Sequence, residues 1–166
     1  MSKLMRRIWS VLIAVAMCVT MLPLNAFALD ENANTMVATF DQVSALVGET
    51  VKVNVTLKNN PGITSFKLAV KWDADFLTLE GIDYNSSFGG IGTPPASSKS
   101  PAYIQWVYGT QNVDLNGVFA TLNFKVADDA PANAVATITA DFDPEDICKI
   151  VSKDGKYAEE NVPLTI

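Results

Sequence analysis

Apolar and polar residues alternate along much of this chain. Val51, Val53, Val55 and Leu57 alternate with Lys52, Asn54, Thr56 and Lys58. Phe66, Leu68, Val70 and Trp72 alternate in the same way with Ser65, Lys67, Ala69 and Lys71. Successive side chains of a strand point to opposite faces, so each run predicts a strand with one apolar face. On the second run the other face is small or basic. Asp73-Ala74-Asp75 interrupts the pattern, because Asp favours turns over strand interiors. Phe76, Leu77 and Leu79 resume it as far as Gly81. From the turn signal Pro61-Gly62 to Gly81 the pattern therefore predicts two strands joined at an acidic corner.

The remaining segments read as strands and turns. Met36, Ala38 and Phe40 predict a first strand, and Val47-Gly48-Glu49 a turn. From Asn85 to Pro101 the chain is rich in Gly, Ser and Pro and has no periodicity, which predicts a long loop. Such a loop is either functional or a plain surface connection. Tyr103 to Tyr108 is a strand with apolar residues on both sides: Ile104, Trp106 and Tyr108 on one, Tyr103 and Val107 around Gln105 on the other. An antiparallel strand with one face in a core normally shows polar residues on its other face. This strand either lies under a loop or carries a contact surface, where aromatic residues are enriched. Val118, Ala120, Leu122, Phe124 and Val126 share one parity and predict a buried face. Ala134 to Phe142, Ile147 to Val151 and Val162 to Ile166 predict the last strands, and Pro163 makes the final one an edge. Nine short strands without a helical repeat predict an all-β sandwich. The strand count does not choose between jelly-roll and immunoglobulin-like connections.

The first residues have another character. Lys3, Arg6 and Arg7 precede an uncharged apolar run from Ile8 to Leu24, and Ala26-Phe27-Ala28 resembles a cleavage site. Residues 1–28 are read as a signal peptide and 29–166 as the domain. The competing reading is a retained anchor; the run is only just long enough for one, and Pro23 favours cleavage. Cleavage removes three of the 12 basic residues and leaves nine Lys against 18 acidic residues, so the net charge moves from −6 to −9. Such a chain repels nucleic acid and anionic membrane surfaces, and membrane contact is expected only through the leader. Cys148 is then the single cysteine, so no internal disulfide forms, and it is expected to be a small buried hydrophobe.

The chain has no His, which excludes Ser-His-Asp and Cys-His nucleophiles and leaves no usual zinc ligand set. The glycine-rich GGIGT at Gly89–Thr93 lacks the Lys and helix of a phosphate loop. Asp73/Asp75 and Asp143/Glu145/Asp146 are the paired carboxylates, but both sit at strand corners, where acids serve the turn. Asp141-x-Asp143-x-Glu145 begins like a calcium loop, yet Asp146 and Ser152 stand where Gly and Glu are needed. Asn54-Val55-Thr56 and Asn85-Ser86-Ser87 are glycosylation triplets of a kind that arises often by chance.

Three motifs in order carry a resemblance. They are Gly48-Glu49-Thr50-Val51, the stretch PGITSFKLAVKWDADFLTLEG at 61–81, and Asn116-Gly117-Val118-Phe119-Ala120-Thr121-Leu122-Asn123-Phe124-Lys125-Val126. Together they resemble the cohesin family, the β-sandwich modules that bind dockerins in cellulosomes. The resemblance implies a nine-stranded jelly roll, no catalysis, no cofactor or metal of the chain's own, and a partner dockerin that carries the calcium. With the leader, it points to a protein that is secreted and extracellular or held at the cell surface, and a monomer is expected, with dimerisation left open by the sequence. By position, the docking face would comprise Ser65, Lys67, Lys71, Trp106, Tyr108 and Gly109. For Trp106 two arguments conflict: parity allows the core, and the family match places it on the contact face. Many cohesins carry Asn and Asp where Ser65 and Lys67 stand, which implies a divergent dockerin with an acidic group for Lys67. A second reading is a carbohydrate-binding module using Trp72, Tyr84, Tyr103, Trp106 and Tyr108, and a third an adhesin-like structural domain.

Overall fold

The computed structural model describes residues 35–109, 111–142, 150–153, 159–162 and 164–166. The leader, Cys148 and the acidic corner at 143–146 lie outside the described residues.

The alternating runs form strands where expected. The elements are β1 (Met36–Phe40), β2 (Thr50–Lys58), β3 (Ser65–Trp72), β4 (Leu77–Tyr84), β5 (Ile91–Thr93), β6 (Ala102–Val107), β7 (Gly117–Val126), β8 (Ile138–Asp141), β9 (Ile150–Lys153), β10 (Glu159–Asn161) and β11 (Leu164–Thr165). They make two sheets. One has the order β11-β1-β2-β7-β4, and the other β10-β9-β3-β6-β5 with β8 also on β3. β1 and β11 pair in parallel, and β1–β2, β2–β7 and β4–β7 pair antiparallel. The chain crosses repeatedly from sheet to sheet, an all-β sandwich of jelly-roll type. β8 and β9 lie on the same side of β3, pairing with Ala69–Trp72 and with Ser65–Phe66 respectively.

Two strands exceed the nine expected, β5 and β10. β5 falls inside the stretch from Asn85 to Pro101, which is not the featureless loop its composition predicts. That stretch begins with a one-turn 3-10 helix, Ser86–Phe88, capped by Asn85, whose side chain accepts from the Ser87 N–H. Phe88 is buried at 3% exposure and anchors the turn to the core. Three residues are too few for alternation to announce a strand.

The apolar faces meet between the sheets. Phe66, Leu68, Val70 and Trp72 from β3 and Ile104 and Trp106 from β6 pack against Val53, Val55, Leu122 and Phe124. The β7 reading needs one correction. Val118 is exposed, whereas Phe119 and Ala120 are both fully buried. Val55 opposes Ala120 but Thr56 opposes Val118, so Phe119 is an extra residue, a β-bulge that changes the parity of the strand. The bulge delivers the Phe119 ring to the centre of an aromatic cluster. Phe66, Phe88, Trp106 and Tyr84 surround it at centroid distances of 4.9, 5.1, 5.7 and 6.1 Å.

Candidate functional site

The outer face of the β3–β6 sheet is built by alternation. On β3 Phe66, Leu68, Val70 and Trp72 point inward, so Ser65, Lys67, Ala69 and Lys71 point outward. Directly opposed residues of an antiparallel pair share a side. Ser65 opposes Val107, Lys67 opposes Gln105 and Ala69 opposes Tyr103. Ile91 and Thr93 of β5 oppose Val107 and Gln105. On the other side of β3, Thr139 and Asp141 oppose Lys71 and Ala69, and Val151 opposes Ser65. Ser65, Lys67 and Lys71 therefore share one surface with Tyr103, Gln105, Val107 and Ile91.

The two lysines of β3 lean in opposite directions. Lys67 reaches diagonally across to β6, with its Nζ 5.0 Å from the centroid of the Tyr103 ring. This is a cation–π contact, which steadies the cation without neutralising it. Lys71 reaches diagonally to β8 and pairs with Asp141. Among the described residues Lys67 has no carboxylate partner, so it gives this face an uncompensated charge.

The aromatic residues of β6 divide. Trp106 is 3% exposed and points into the core, not onto the outer face. Its partner across the ladder is the buried Phe66, and pairing decides what local parity left open. The Trp106 indole N–H donates to the Gly89 carbonyl at 2.8 Å. Tyr108 is 41% exposed and stacks on Trp106, with centroids 6.3 Å apart and planes within 9°. Its ring needs a glycine at position 89: a Cβ there would lie 2.7 Å from the ring. Tyr108 and Gly109 sit at the end of the face where the Tyr108 N–H donates to the Thr64 carbonyl at 2.8 Å. Buried Asn60 ties the following loop down. Its side-chain amide donates to the Val113 and Leu115 carbonyls, and its backbone N–H donates to the Asn116 side chain.

The cohesin domain family model matches the chain over residues 36–155. The chain belongs to the cohesin family. It is 32% identical over 127 residues to cellulose-binding protein A of Clostridium cellulovorans. That match covers 74% of this chain and 6% of the relative, so the chain spans a small fraction of the relative's length. Among solved structures it is similar to a type I cohesin from Pseudobacteroides cellulosolvens, with a TM-score of 0.64 and 18% identity over 78% of this chain and 86% of that one. It is also similar to a cohesin from Acetivibrio cellulolyticus solved with a dockerin, with a TM-score of 0.61 and 24% identity over 78% of this chain and 94% of that one.

In this cohesin the face depends on a residue from the opposite sheet. Tyr84 of β4 crosses the interior, donates its O–H to the Thr93 carbonyl at 3.1 Å and accepts from the Gln105 N–H at 2.9 Å. It thereby joins β5 to β6 and holds Ile91 beside Val107. Its ring leaves no room for a Cβ at Gly92, which would lie 2.1 Å away. Burial pushes the Tyr84 hydroxyl above its ordinary value of 10.0, with the Gln105 N–H pulling the other way.

Asp73 and Asp75 lie at the β3–β4 corner, where the Asp73 carbonyl accepts from the Phe76 and Leu77 N–H groups. That is turn geometry. Among the described residues no three His, Cys, Asp or Glu side chains gather as metal ligands would. The side chains of Asn54 and Asn85 are both engaged, Asn54 with Asp41 and Thr121 and Asn85 with Val118 and Ser87. Tyr103, Gln105 and Val107 were legible as one side of an aromatic strand, but their outward direction required the register with β3. Ile91 had no local signal at all; only its pairing with Val107 places it on this face.

Proposed function

We propose that this chain is a secreted, non-catalytic cohesin that binds one calcium-loaded dockerin and so assembles or anchors polysaccharide-degrading enzymes outside the cell. The dockerin sits on the outer face of β3 and β6. The observation that carries this reading is Lys67, a cation without a carboxylate among the described residues, set among exposed apolar side chains on a rigid sheet. Cohesins from Acetivibrio cellulolyticus, Clostridium thermocellum and R. flavefaciens have been solved with dockerins bound, which supports the choice of partner. In this reading Lys67 meets a dockerin carboxylate, Ser65 and Gly109 meet polar groups, and Lys71 acts together with Asp141. Trp106 supports the face from beneath. The calcium belongs to the dockerin, and the chain acts as a monomer. Residues 1–28 carry the domain 29–166 across the membrane and are removed.

The carbohydrate-binding reading needs a row of exposed rings. Trp72 and Trp106 are 6% and 3% exposed, and Tyr84 spans the interior. Tyr103 lies under Lys67, which leaves Tyr108 without a second ring beside it on the surface. No stacking platform results.

Calorimetric titration of the secreted chain with dockerins of the same organism tests the proposal, in calcium and again in a chelator. One-to-one binding in calcium, lost in chelator, is the expected result. No binding to any dockerin, with retention on an insoluble polysaccharide, would overturn it.

A further inference from the structure

The docking face has a row that is apolar except for Ser65, with its exposed aliphatic end at Val107 and Ile91. Register places Val151 of β9, Ser65 of β3, Val107 of β6 and Ile91 of β5 side by side across four strands. Three strand spacings make the row about 14 Å long. That is a little more than the width of an α-helix with its side chains, about 10–12 Å. Ile91 is 72% exposed and Val107 48%. The next outward row along the strands is polar: Lys67, Gln105 and Thr93. Two residues of rise put it about 7 Å away.

The placement of Ile91 is built rather than incidental. β5 is only three residues long, and it keeps its register through the Tyr84 hydroxyl bridging Thr93 and Gln105. Gly92 has no side chain because the Tyr84 ring lies directly beneath it. The short strand is thus clamped from the core side while Ile91 is offered on the other. An aliphatic side chain on a strand already held in place needs no ordering of its backbone on binding, and its burial adds a hydrophobic contribution.

We infer that Ile91 and Val107 are the specificity-determining residues of this face, and that they select a dockerin helix presenting aliphatic side chains, with Lys67 a secondary contact. This rests on the dockerin-binding reading above. The partner's apolar ridge lies along the Ile91–Val107 row, and its carboxylate lies one row away, at Lys67. A dockerin that recognises its cohesin through hydroxyl or amide side chains at this place loses, because its polar groups are desolvated against Ile91 and Val107.

The experiment is titration of the secreted chain and three variants, Ile91→Asp, Val107→Asp and Val135→Asp, with the dockerin that the wild type binds. Val135 is 84% exposed and lies outside the row, between β7 and β8. All three are surface positions, and circular dichroism checks the fold of each. The expected result is at least tenfold weaker binding for Ile91→Asp and for Val107→Asp, and no change for Val135→Asp. Wild-type binding should show a large negative heat-capacity change and vary less than threefold between low and moderate salt. Undiminished binding by both acidic variants, or affinity that collapses with salt, overturns this inference and leaves the dockerin reading standing. Wild type that binds no dockerin overturns both. Wild type that self-associates, with Ile91→Asp restoring the monomer, assigns the row to a second copy of the chain and overturns the inference as well.

Discussion

The two sheets of this sandwich share one interior and turn very different faces to water. On the five-stranded sheet several outward polar side chains pair with one another, although among the described residues the buried Asn123 Oδ1 accepts no hydrogen bond. Asn54 donates to Asp41 and accepts from Thr121, Asn123 donates to Asp83, and Thr50 donates to Glu80, all at 2.8–2.9 Å. On the six-stranded sheet the outward residues leave interactions open: a lysine over a tyrosine ring, and Ile91 and Val107 exposed. Both faces come from the same alternation and the same fold. The lesson is that the fold does not choose the working face. In the reading proposed above, the docking face is the one whose outward side chains leave more interactions open.

The comparison can be broken most severely at the ring the two sheets share. Phe119→Ala removes the centre of the aromatic cluster and should cost about 3–5 kcal/mol of stability, read by chemical unfolding. It should impair both faces together. Next in size, Lys67→Glu should weaken dockerin binding by about three- to tenfold, less than the changes at Ile91 and Val107, while stability stays within about 0.5 kcal/mol of wild type. On the quiet sheet the expectation reverses. Asn54→Ala leaves Asp41 and Thr121 without a shared partner and should cost about 1–2 kcal/mol, with dockerin affinity unchanged. A loss of affinity there would mean that the two faces are coupled.

A smaller effect concerns Tyr84, which links the sheets. Its folded-state pKa is raised above 10.0, so its contribution is fully present below pH 10 and is lost as pH climbs through the folded value. The thermal midpoint of wild type should therefore fall more steeply above pH 10 than that of Tyr84→Phe. Below pH 9 the two should differ by only about 1 kcal/mol, from the lost hydrogen bonds. The smallest effect is expected for Lys71 and Asp141, whose side chains are 53% and 58% exposed. A double-mutant cycle should give a coupling under about 0.5 kcal/mol.

Alternation made β2, β3, β6 and most of β7 legible, together with the acidic corner between β3 and β4. It also revealed the small and basic outer side of β3, because Ser65, Lys67, Ala69 and Lys71 stand at every second position. What alternation could not carry was anything set by pairing between distant strands. Trp106 fits either side of β6 by its own neighbours; its inward direction is fixed by standing opposite Phe66. Ile91 emerges from a Gly- and Ser-rich stretch, and its place beside Val107 depends on a tyrosine from the other sheet. Val118 was misread because a bulge breaks parity without leaving a compositional mark.

That bulge has a bearing on descent. Phe119 is one residue inserted into an otherwise regular ladder. Deleting it would restore unbroken pairing and leave its neighbours' directions as they are, with Val118 still opposite Thr56 and Ala120 opposite Val55, but would empty the centre of the aromatic cluster. The alternation of the strand would survive such a deletion, and the ring at the middle of the interior would not. Where relatives share only 18–24% of their residues, this position sets the frame for comparing them. A one-residue gap set at Phe119 keeps interior matched with interior on both sides of it, and one displaced along the strand mismatches only the positions in between.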